Sequence, residues 1–200
     1  MNSRTLYITL LSGIILLMSA CSTTNMTNFY DEHKSTLDSI KESYSQQYPN
    51  APFSVAFSNK DFNSFSLEIT TDTIKYIYDF NVGEERLKDS LIKYKMSPEG
   101  ITTLVRLMQS IRCIWINNQD YYVNGNYHSA VYMSIRPRAI SLPFIYKKYE
   151  ILAYFNRPQV FNEKGILMDG RRRKTIRKLN NNTFHKITDK VCYTVSSLYR

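Results

Sequence analysis

Three cysteines and three histidines are the side chains from which a hydrolytic or metal site would be built: Cys21, Cys113 and Cys192, with His33, His128 and His185. Nucleophilic hydrolysis needs a thiol or hydroxyl beside a base that a third group orients, and a catalytic metal needs converging ligands with an open position. The spacing supplies neither. No two histidines stand at zinc-ligand separation, and there is no His-Glu-x-x-His, no Gly-x-Ser-x-Gly and no glycine-rich phosphate loop. Cys113 or Cys192 with His128 or His185 would form a couple of cysteine-peptidase type, but no motif flanks either thiol and both lie in or beside apolar stretches. The expectation is a protein with no catalytic residue, no metal and no cofactor.

Charge is the stronger chemical signal. The chain carries 26 basic and 17 acidic side chains, and residues 171–200 hold a disproportionate share of the bases against Asp189 alone. Arg171, Arg172, Arg173, Lys174, Arg177 and Lys178 are the candidate contacts for an anionic partner: an acidic protein face, anionic lipid head groups or lipopolysaccharide phosphates. The alternative is a solvated segment that keeps the protein soluble. Tyrosine is abundant, at 16. Sugar-stacking surfaces would use it, and so would ordinary packing on half-buried sheet positions, which is the favoured reading.

The amino terminus has the three parts of an export signal: Arg4, an apolar run over residues 6–18, and the small residues Ser19 and Ala20 before Cys21. That run is shorter than the ~20 residues needed to span a bilayer. Met18-Ser19-Ala20-Cys21 resembles the lipobox of bacterial lipoproteins, although leucine is commoner where Met18 stands. The resemblance covers the leader only. It implies removal of residues 1–20, lipidation of Cys21 and a cell-envelope location; Ser22, where aspartate would retain the protein at the inner membrane, points to the outer membrane. Residues 21–28 then read as a lipidated tether, and 29–200 as one domain with a basic C-terminal segment, 171–200. An exported protein does not routinely meet nucleic acid, so none is expected as a partner. Export permits disulfides, and Cys113 and Cys192 are either a bonded pair or two buried thiols behaving as small hydrophobes.

These features need a frame. Tyr30, His33, Leu37, Ile40 and Tyr44 recur at helical steps, predicting a helix over residues 29–47 that Pro49 and Pro52 end. Alternation then predicts three strands in an antiparallel meander, carrying Phe53, Val55, Phe57; Phe65, Leu67, Ile69; and Ile74, Tyr76, Tyr78, Phe80. A short helix is expected over 84–94. A clearer one is capped by Ser97, with Pro98 in its first turn. A buried strand over 113–116 should end at Asn117-Asn118, and Asn124-Gly125 should turn a hairpin into a long strand reaching Ile135. A strand is expected over 150–155, and a final helix after Asn180–Asn182 carrying Phe184, Ile187, Val191, Val195 and Leu198. The fold class is α+β: antiparallel sheet with N-terminal, central and C-terminal helices packed on one face.

Overall fold

The computed structural model describes residues 26–123, 126–135, 148–169, 176–179 and 181–198. The Asn124-Gly125 turn, the loop bracketed by Pro137 and Pro143, and Arg171, Arg172, Arg173 and Lys174 lie outside the described residues. The chain divides into two compact units between Lys34 and Ser35, rather than forming the single domain expected from residue 29 onward. Residues 26–47 are helical (α1). In the first unit Met26 and Tyr30 are buried, and the Phe29 and His33 rings lie 4.5 Å apart. Met26, Thr27 and Asn28 therefore belong to a helix and not to the tether, because a buried methionine anchors its start.

In the second unit, Leu37, Ile40 and Tyr44 form the buried stripe of α1. Strands β1 (Phe53–Phe57), β2 (Ser64–Thr70) and β3 (Lys75–Asn81) follow, then helices α2 (Arg86–Ile92) and α3 (Pro98–Ser110). Next come the long β4 (Cys113–Val123) and β5 (Asn126–Ile135), then β6 (Tyr149–Phe155). The chain ends in short β7 (Lys178–Leu179), β8 (Asn182–Thr183) and β9 (His185–Lys186), and β10 (Val191–Ser196). Eight strands make one antiparallel sheet in the order β3-β2-β1-β4-β5-β6-β10-β9, and β7-β8 form a small second sheet. The fold is α+β.

Ladder partners share a face, so register sorts the core. Val55, Leu67, Ile116, Met133 and Leu152 lie on one face. Helix α1 covers it: the Tyr44 hydroxyl donates to the Phe53 carbonyl at 2.6 Å and the two rings are 4.6 Å apart. Helix α3 locks onto the end of α1, where Ser97 N–H donates to Gln47 Oε1 at 2.8 Å. A Cβ on Gly100 would meet Gln47 Nε2 at 2.6 Å, so this close approach needs glycine. The start of α3 is capped as expected, Gly100 N–H donating to Ser97 Oγ at 3.0 Å, and Ile101, Leu104, Val105 and Met108 are buried.

The opposite face carries Ala130, Tyr132, Ala153, Phe155, Cys192 and Thr194. The C-terminal segment packs there: Phe184 meets Tyr132 edge-on at 6.0 Å, and Thr194 Oγ1 donates to the Thr183 carbonyl at 2.8 Å. The middle of the sheet is thus buried on both sides, and β1 is buried at every position.

Two expectations fail. The predicted C-terminal helix is replaced by β8, β9 and β10. Asn181 takes a left-handed φ of 61° in the turn between β7 and β8, and Val195 and Leu198, meant for the apolar stripe, are exposed. The run Val191-Cys192-Tyr193-Thr194-Val195 is rich in β-branched and aromatic residues that fit a pleated surface. Second, Asn117-Asn118 does not end a strand. Both sit inside β4, paired with Tyr132 and Val131, and the ladder simply runs through them to the hairpin.

Candidate functional site: an arginine-lined cleft

The end of β4 and the start of β5 place Tyr121 opposite His128, on the face that the C-terminal segment covers. Their rings lie 5.4 Å apart. The loop after β6 crosses this pair. Gln159 N–H donates to the Asp189 carbonyl, and Met168 N–H to the Val160 carbonyl, both at 2.8 Å. Arg177 N–H donates to the Leu167 carbonyl at 3.0 Å. These backbone bonds hold three short segments side by side over the sheet.

They enclose a cleft of about 140 Å³, walled among others by Tyr121, His128, Arg157, Gln159, Met168 and Arg177. The Arg177 guanidinium sits 4.6 Å over the Tyr121 ring and donates to Gln159 Oε1 at 3.3 Å. A planar cation stacked on an aromatic face and tied at one edge keeps its remaining donors in a fixed fan. Burial raises the Tyr121 phenol, against lowering by Arg177, Gln159 and Arg157; the ring therefore stays neutral beside the two cations. None of the lining residues is acidic. The arrangement suits a carboxylate or phosphate group, which Arg177 and Arg157 would meet through charge-assisted hydrogen bonds.

Of the six basic residues read as anionic-partner contacts, Arg177 lines this cleft and Lys178 is exposed beside it in β7. Arg171, Arg172, Arg173 and Lys174 fall outside the described residues. Arg157, Tyr121, His128 and Gln159 were not singled out together as a site from sequence. They come from three separate stretches, and only the β4–β5 register, which Asn124-Gly125 hinted at, could have paired Tyr121 with His128.

The remaining candidates separate. Cys113 and Cys192 are free and buried. Cys113 faces the helices with Ile135, while Cys192 faces the other side with Ala153, and strands β5 and β6 stand between theirs. Two intervening strands put them roughly 14 Å apart at 4.8 Å per strand, beyond disulfide reach. Of the two readings, buried thiols hold and the bond does not. Burial pushes the Cys113 thiol up to about 12 and raises Cys192 as well, so neither is poised as a nucleophile. His185 lies in β9 against Tyr193, ring centroids 5.6 Å apart, instead of opening a helix. Among the described residues no group of His, Cys, Asp or Glu converges as a metal site.

A second groove, about 240 Å³, lies on the helix-covered face between α1 and the sheet. Tyr44, Tyr48, Asn118, Ser129, Val131 and Asn156 line it.

No family model matches this chain. Neither a curated protein nor a solved structure matches it.

Proposed function

We propose that this protein is a lipid-anchored envelope lipoprotein serving as a non-enzymatic interaction or assembly module, with the arginine-lined cleft as its contact for an anionic group on a partner. The observation that carries the recognition half is Arg177 held over Tyr121 and tied to Gln159, beside Arg157, with no acidic side chain in the lining. Pre-ordering those donors lowers the cost of fixing them on binding. The buried, raised thiols favour a binding role over thiol catalysis. The anchoring half rests on the lipobox-like Met18-Ser19-Ala20-Cys21.

The test is Arg157→Glu with Arg177→Glu in the full chain, compared with wild type for proteins copurified from the native cell and for flotation on vesicles with anionic or only zwitterionic lipid. Loss of a copurifying protein, or of the anionic-vesicle increment, supports the cleft. If both readouts match wild type, the cleft is not the contact.

A glycan-binding role is the second reading, and the groove beside α1 favours it. Amides from Asn118 and Asn156, the Ser129 hydroxyl and the half-buried Tyr48 ring are neutral hydrogen-bonding and stacking groups of the kind sugars use. Neutral cell-wall oligosaccharides that bind wild type and not Tyr48→Ala would shift the assignment to this groove.

A further inference from the structure

The eight-stranded sheet ends on β3, and among the described residues no strand pairs with its outer side. The phase of that edge can be read from the ladder. Thr71 N–H donates to the Ile74 carbonyl and Val82 N–H to the Asn63 carbonyl, so even-numbered residues of β3 bond inward to β2. The N–H and C=O groups of Lys75, Ile77 and Asp79 therefore point outward, by the alternation of an antiparallel ladder. An edge of this kind is a template for another strand. Its side chains are open: Ile77 is 63% exposed and Tyr76 36%, and Lys75 and Asp79 are exposed.

We propose that β3 pairs antiparallel with β3 of a second copy of this chain, about a two-fold axis through Ile77. The segment Lys75-Tyr76-Ile77-Tyr78-Asp79 is self-complementary when reversed. With Ile77 opposite Ile77, Lys75 of each copy stands opposite Asp79 of the other, and Tyr76 opposite Tyr78. The pairs Lys75–Asp79 and Ile77–Ile77 are the ones whose backbone groups point outward, so each exchanges both N–H···O bonds. Tyr76–Tyr78 takes the closer, non-bonded position, where aromatic pairs contribute most.

Only this register sets Lys75 against Asp79. Both charges already have neighbours within the sheet on that same face. Lys75 Nζ lies 2.8 Å from Glu68 Oε1, and Ser66 Oγ donates to Asp79 Oδ1 at 2.5 Å. Pairing would extend these contacts into one line across the two-fold axis. On the other face Lys93 Nζ sits 5.5 and 5.0 Å from the Tyr76 and Tyr78 ring centroids. It holds the two rings side by side, stacked at 6.4 Å, ready for their counterparts.

The experiment is sedimentation velocity of the full chain in density-matched detergent over a concentration series. Wild type should show a concentration-dependent monomer–dimer equilibrium. Ile77→Pro removes an outward N–H and no bond to β2, so it should stay monomeric while melting like wild type. Lys75→Asp and Asp79→Lys should each weaken self-association about tenfold or more, since like charges directly opposite one another repel. Mixed one to one, those two variants should dimerise again, because the two acidic side chains of one copy then face the two basic side chains of the other across the axis. Recovery on mixing also shows that both are folded. A wild-type chain that stays monomeric at every concentration overturns the proposal. So does an Ile77→Pro chain that dimerises as well as wild type, or a mixture no better associated than its components.

Discussion

Glu150 shows how a single buried group reports on the fold. Burial lifts its carboxyl above the usual carboxylate range, because the charged form loses water that the protein does not fully replace. A folded-state value above the unfolded one means the contribution is favourable at acid pH and is lost as pH rises through the folded value. Glu150→Gln should therefore raise the melting temperature at pH 7 and have little effect at about pH 4, where the wild-type side chain is largely protonated; equal gains at both pH values would put the effect in packing instead. The same scale shows what sequence can and cannot reveal. Arg177 was legible as part of a charge run, but its stacking on Tyr121 was not, since a long stretch of chain and a strand register separate them. The fate of Cys113 and Cys192 was likewise hidden: an even pair is visible by counting, whereas the face each occupies depends on the ladder.

At the scale of elements, legibility followed periodicity. Helices α1 and α3 and the β1–β3 meander each expose one side, so the apolar residues keep a period of 3.6 or 2 that can be read directly. Strand β10 is buried at Val191, Cys192, Tyr193 and Thr194 alike, which erases alternation. What remained visible, Val191, Val195 and Leu198, matches helical steps by coincidence. Thr194→Ala separates the two readings by sign. In a helix, alanine would stabilise. In β10, it removes the donor to the Thr183 carbonyl at a buried position and should cost about 1–2 kcal/mol, measured by urea unfolding. A more stable variant would restore the helix. The site's scaffold suffered the same loss of signal, because the segments over residues 157–168 and 176–177 are held by backbone bonds with almost no regular pattern of their own.

On the scale of the whole molecule, anchoring would decide what the cleft and the free edge can reach. Only residues 22–25 separate Cys21 from the helix that begins the described chain, and four residues span at most about 14 Å even when fully extended. A chain lipidated at Cys21 would hold α1 close to the bilayer. The same restriction to a surface would raise the local concentration of copies and favour a weak edge-to-edge contact. Acyl chains would supply the hold, at about 0.8 kcal/mol for each buried methylene, with two or more chains needed for stable attachment. Wild type made in its native cell should therefore appear in the membrane fraction with its new terminus at Cys21 and a lipid mass increment. Cys21→Ser should lose that increment and either keep its leader or leave the membrane. If the serine variant is still cut between residues 20 and 21 and still sediments with membranes, attachment runs through the folded part of the chain. The basic segment and the Arg177 cleft would then be the first surfaces to test as the membrane contact.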